Sequence, residues 1–81
     1  MVDEPFTPST RVSAEIRATL AKLRITQAQL GSRIGMAQAA VSGRMTGRTA
    51  WTIDEIAAVA AALEVPLSQL LPIDELMVAA S

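Results

Sequence analysis

Residues 27–47, QAQLGSRIGMAQAAVSGRMTG, leave this chain little choice of fold. Leu30 and Ile34 fall one helical turn apart and share a face. Gly35 follows them, and glycine takes a positive φ without steric cost, as a sharp turn between helices requires. Met36, Val41 and Met45 then supply the apolar side of a second helix. Gly31 is small at the place where the second helix must cross the first closely. The stretch predicts two short helices packed across a tight turn.

The flanking sequence extends that pattern. A first helix is expected over about residues 10–24, with Val12, Ile16, Leu20 and Leu23 on one stripe and Ser9 or Thr10 as its cap. Arg17, Lys22 and Arg24 lie off the stripe, where they can reach solvent or phosphate. Thr26 caps the next helix, Gln29 completes a capping box, and Ile25 staples onto Leu30. The helix over residues 37–45 starts weakly: alanine at position 37 in place of a capping side chain costs about 1 kcal/mol. Gly43 inside it costs about another 1 kcal/mol. That glycine is either merely tolerated or kept for the close approach of another surface. With Val41 turned inward, rotation by about 100° per residue puts Ala37 and Met45 inside. Ala39, Ser42, Gly43 and Thr46 then face outward, and Gln38 projects from the first turn.

A fourth helix repeats the start signals: Thr52 caps, Glu55 completes the box and Trp51 staples onto Ile56. Ile53, Ile56, Ala57, Ala60 and Leu63 form its expected buried stripe, and Trp51 is read as staple and core rather than as a stacking surface. Pro66 opens a short fifth helix with Leu67, Leu70 and Leu71. Residues 1–8, with two prolines and two acids, are expected to be a flexible arm, in which Phe6 is loose or tucked in. Residues 9–71 form the domain. Residues 72–81 form an amphipathic tail carrying Ile73, Leu76, Met77 and Ala80. The expected fold class is all-α: a compact five-helix domain plus that tail.

Composition narrows the function. Eighty-one residues suffice for one domain. Histidine, cysteine and tyrosine are absent, which removes most metal ligands and most nucleophile–base pairs. The carboxylates of Asp3-Glu4, Asp54-Glu55 and Asp74-Glu75 are adjacent, so each pair diverges on a helix and makes a poor acid–base dyad. An enzyme, a metal site, a cofactor and a small-molecule ligand are not expected. No signal peptide or bilayer-spanning run is visible, and a cytoplasmic protein is expected. The net charge is −1, yet its distribution is polar. All seven basic residues lie between positions 11 and 48 against Glu15 alone, leaving +6 there and −7 on the flanks. Either these are solvated helix faces, or they present a basic surface to a polyanion.

Two helices of this spacing, with the second exposing small and polar side chains, form a helix-turn-helix, whose second helix enters the DNA major groove. The chain resembles the lambda-repressor-like, Cro/C1-type helix-turn-helix proteins over residues 12–71. The resemblance rests on Thr26-Gln27, Leu30-Gly31, Gly35, Val41-Ser42, Gly47, Ala60, Leu63, Val65 and Leu70. Arg44 to Thr49 and Trp51 to Glu55 look most like short actinobacterial phage and host members. The sequence departs from that pattern at Gly31, where alanine is common, at Ala37, where serine or threonine is, and at Glu64, where glycine is. These changes are expected to loosen the contact between the second and third helices slightly, to weaken a cap, and to alter where the fourth helix ends.

The resemblance implies that Gln38 reads a base, for which a bidentate adenine pair is worth about 1–3 kcal/mol. Ala39 would touch a thymine methyl, and Ser42, Gly43 and Thr46 would line the groove. Gln27, Arg33, Arg44 and Arg48 would hold phosphates, and the helix start at Thr52 would offer N–H groups to another. The expected protein is a phage-type repressor or Cro-like transcription regulator, homodimeric at least on double-stranded DNA. Leu70, Ile73, Leu76 and Met77 are its candidate dimer interface. With four to six phosphates neutralised, log K should fall with a slope of roughly −4 to −5 per subunit. The alternative is a protein-interaction module of the same fold, an antitoxin or a partner that sequesters another regulator, acting through the tail.

Overall fold

A computed structural model describes residues 8–71 of the chain, all of whose regular structure is helical. The elements are α1 (Pro8–Leu23), α2 (Gln27–Ile34), α3 (Gln38–Met45), α4 (Ile53–Leu63) and α5 (Leu67–Leu70). α1 begins at Pro8, ahead of the expected cap, and Ser9 lies inside it, where its hydroxyl accepts the Trp51 backbone N–H at 2.9 Å. Among the described residues no helix is long and apolar enough to cross a membrane. The arm and the tail expected at the two ends, including Phe6, Ile73, Leu76, Met77 and Ala80, lie outside the described residues.

Three connections share one device. α1, α2 and α4 each end in a left-handed residue: Arg24 (φ 59), Gly35 (φ 72) and Glu64 (φ 57). The next N–H reaches back to the last turn, Ile25 to Leu20, Met36 to Gly31 and Val65 to Ala60, at 2.8–3.0 Å. This satisfies carbonyls the helix end would otherwise orphan. Ile25, Met36 and Val65 then fold onto the core, and the residue after each, Thr26, Ala37 or Pro66, starts the next helix. Glu64 therefore ends α4 just as a glycine would, despite its Cβ. A non-glycine residue in that conformation costs about 1–2 kcal/mol, and α4 does not end differently to avoid it.

Val12, Ile16, Leu20, Leu30, Val41, Met45, Trp51, Ile56, Val59, Ala60, Leu63 and Leu70 form one buried cluster. Each fully buried aliphatic side chain contributes about 1.5–3 kcal/mol before entropy is subtracted. α2 packs on α3 and α4, α1 on α3 and α5, and α4 on α5. Gly31 sits where α2 meets the α2–α3 turn: a Cβ there would run into the Met36 carbonyl oxygen. The glycine therefore tightens this contact rather than loosening it.

Several expected positions turn out otherwise. Leu23 is 43% and Ile53 59% exposed, because each lies in a terminal turn beyond the reach of the neighbouring helix. Ala37 and Ala57 are exposed, and the unforeseen Val59 is fully buried. Leu70, expected at a dimer interface, has no exposed surface: α1 and α4 enclose it, so it belongs to the domain's own core.

Candidate nucleic-acid interface

The starts of α2 and α3 leave backbone N–H groups open. Thr26 Oγ1 accepts the Gln29 N–H at 3.0 Å and Gln29 Oε1 accepts the Thr26 N–H at 2.8 Å, the expected capping box. The first-turn N–H groups of Gln27 and Ala28 remain outside that box, and the turn holds no acid. At α3, Ala37 makes no side-chain cap and the first turn is again free of acid. Helix N-termini of this kind carry positive potential and donors for an anion.

The outer side chains of α3 are mostly accessible. Gln38, Ala39 and Thr46 are exposed and Ser42 is half-buried, so four of the five expected base-reading residues reach solvent. Thr46 caps the C-terminal end, its hydroxyl donating to the Gly43 carbonyl at 3.2 Å. Gly43 is the exception. It is buried, and its carbonyl also accepts the Arg48 and Thr49 N–H groups at 2.8 and 3.1 Å. The loop from Gly47 onward wraps this glycine, which removes it from any groove-lining surface. A Cβ would meet only the Thr49 hydroxyl at 3.7 Å, so no close approach requires glycine here.

The arginines divide more sharply. Arg44, expected on a phosphate, has every guanidinium nitrogen engaged within the domain. Nε and Nη2 donate to the two Glu55 carboxylate oxygens at 2.9 Å each, and Nη1 donates to the Ala40 carbonyl at 3.0 Å. Both side chains are about four-fifths covered, with 18% and 21% exposure. The Arg44 hydrogen bond is the main cause holding the Glu55 carboxyl below the usual carboxylate range, against a partial burial that acts the other way. The same bond raises the Arg44 guanidinium above its ordinary value. Arg33 reaches the Ala62 carbonyl near the end of α4 at 3.4 Å, a long bond that draws it toward the α4 C-terminus. Arg17 closes the end of α3 by donating to the Met45 carbonyl at 3.0 Å. Arg48, Lys22 and Arg24 are exposed and have no such ties. Charge counted along the sequence thus overstates the cations available to a ligand.

Thr52 caps α4 as expected, and the box with Glu55 forms at 3.0 and 3.1 Å. Here, however, the first turn carries Asp54 and Glu55. Those carboxylates already compensate the helix dipole and repel a phosphate, so this start is a poor third anion site.

Sequence reasoning also missed Ser13. Buried at 4% exposure, its hydroxyl donates to the Arg44 carbonyl and accepts the Trp51 indole N–H, each at 2.9 Å. A serine beside Val12 reads as the edge of an apolar stripe, and its partners lie 31 and 38 residues away. The Arg44–Glu55 pair was equally hidden: each residue had a local role, at a helix end and in a capping box, and nothing in the spacing joined them.

The helix-turn-helix family pattern matches residues 16–70. Two solved structures superpose closely. The clp gene regulator ClgR from C. glutamicum is 21% identical, with a TM-score of 0.75 over 83% of this chain and 86% of the other. A hypothetical transcription factor, NHTF, from Neisseria is 23% identical, with a TM-score of 0.76 over 96% and 94%. At these identities the likeness is one of fold. No curated protein matches the chain in sequence.

Proposed function

This chain belongs to the helix-turn-helix family, a family of DNA-binding domains rather than enzymes, and from that premise we propose that it is a sequence-specific transcription regulator of the phage repressor or Cro type. α3 enters the major groove with Gln38 and Ala39 leading and Ser42 and Thr46 behind. Gln38 pairs with adenine and Ala39 packs on a thymine methyl. The starts of α2, beside Gln27, and of α3 receive phosphates, with Arg48 and Arg24 supplying exposed positive charge.

The observation that carries this reading is the exposed α3 face of small and polar side chains, together with acid-free first turns on both α2 and α3. With Arg44 engaged internally, the five exposed basic side chains (Arg17, Lys22, Arg24, Arg33 and Arg48) set an upper bound on the salt slope of roughly −4 to −5 per subunit. A homodimer on an inverted repeat would place two α3 helices about 34 Å apart. Ile73, Leu76 and Met77, outside the described residues, are the proposed interface, with Leu70 removed from it.

Selection from a pool of random duplex DNA at physiological salt, followed by sequencing, tests the proposal. An enriched inverted repeat with an adenine whose preference disappears in Gln38→Ala supports it. A pool left unenriched, with a flat salt response, rejects it.

A further inference from the structure

The geometry points to Glu55 as a positioning residue for DNA binding: through Arg44 it locks α3 in place, so an acid is needed to hold a polyanion. The inference rests on the reading of α3 as the helix that enters the groove.

α3 has little of its own to fix it. It spans eight residues, lacks a side-chain N-cap and contains a glycine. Its outer side chains can read a base only if the helix axis and rotation are held to a fraction of an ångström. α3 packs against α2 and α1, and α4 packs against α2 and α5, but α3 and α4 have no comparable packing against each other. The polar bridge between them is the two-pronged Arg44–Glu55 pair.

That bridge is tied at both ends. Glu55 Oε1 also accepts the Thr52 N–H, so the carboxylate is fixed by the α4 capping box before Arg44 meets it. Arg44 is gripped from three sides: Glu55 holds two of its nitrogens, the Ala40 carbonyl of its own helix holds the third, and Ser13 of α1 donates to its backbone carbonyl. A planar guanidinium with two parallel bonds to a carboxylate transmits orientation as well as attraction. Removing either partner frees the C-terminal turn of α3 to shift relative to α4 while leaving the apolar core intact.

Simple electrostatics predicts the opposite result, which makes the idea easy to test. If Arg44 held a phosphate, neutralising Glu55 would release it and remove a repulsive charge, so E55Q would bind DNA more tightly. R44Q would then flatten the salt slope by about 1. A positioning pair predicts that E55Q and R44Q each weaken binding to the selected duplex about tenfold, with the salt slope unchanged. The double variant should be no weaker than either single, since one linkage has been cut twice. Binding is measured by fluorescence anisotropy on a labelled duplex, at a temperature where melting curves by circular dichroism show every variant folded. R44Q leaves the α4 capping box intact and decides the question should E55Q not fold. Tighter or unchanged binding by E55Q, a flattened slope in R44Q, or additive losses in the double variant would overturn the inference while leaving the DNA-binding reading standing. Failure of the unaltered chain to bind any duplex would remove that reading, and this inference with it.

Discussion

α2 and α4 begin and end alike. Each starts with a threonine cap and a capping box, each has a buried apolar residue at its fourth position, and each stops at a left-handed residue. The chemistry differs at both ends. α2 closes its box with the neutral Gln29 and stops at Gly35, whereas α4 uses Glu55 and stops at Glu64. A glutamine satisfies the cap and leaves the helix start positive. A glutamate satisfies the same cap and cancels that potential, and its two oxygens also take an arginine, Oε1 being shared between the cap and Arg44 Nε. One local motif thus leaves an acid-free helix start, the proposed phosphate site, in the first case and makes an internal tie in the second. Motif recognition alone, which sees two equivalent boxes, cannot separate them.

The comparison can be broken in several ways. The largest effect is expected one position after the buried apolar residue. Gly31→Ala should cost about 2 kcal/mol in a chemical-denaturation experiment, because the obstruction is the Met36 backbone carbonyl, which has little room to retreat. The equivalent α4 residue, Ala57, is exposed, and Ala57→Gly should cost only about 1 kcal/mol through helix propensity. Next comes the exchange of box chemistry. Gln29→Glu keeps an acceptor for the Thr26 N–H, so thermal stability should hold or rise by about 0.5 kcal/mol. Affinity for the selected duplex should nevertheless drop about fivefold, since an acid now stands beside the proposed phosphate. Equal loss of stability and binding would show instead that α2 is no anion site.

The smallest effect separates the boxes by pH. Glu55 is held below the usual carboxylate range in the folded protein, chiefly by Arg44. Its stabilising contribution is therefore complete above the unfolded value and is lost as pH falls through the lowered folded one. The melting-temperature gap between the unaltered chain and E55Q should close over that acidic window. Gln29 has no proton to gain, so the gap between the unaltered chain and Q29A should stay constant.

What the sequence made legible was short-range. Thr26–Gln29 and Thr52–Glu55 are fixed by spacing of a few residues, and the structure forms both boxes. Val12, Ile16, Leu20, Leu30, Val41 and Met45 fall on stripes that the helical period alone imposes, and all are buried. The same period placed Leu23 and Ile53 inside, where they are not, because periodicity gives a direction around the axis but not how far along it a neighbour extends. Of the candidate interface, Gln38, Ala39 and Thr46 were readable as exposed positions on one helix. Arg44 and Gly43 have partners that the spacing did not reveal, because they come from elsewhere in the chain: the Glu55 carboxylate and the Arg48–Thr49 backbone. A cation's availability depends on its three-dimensional neighbours, and a one-dimensional tally of charge does not contain them.

Trp51 has a further consequence. It is the only tryptophan in a chain without tyrosine, so near-ultraviolet emission from this protein comes essentially from one indole. That ring is 7% exposed, its N–H donates to Ser13, and the loop joining α3 to α4 is anchored through it. The emission should therefore be blue-shifted in the folded chain and move red when the loop lifts from α1. The protein carries its own optical gauge at the joint behind α3, readable without a label.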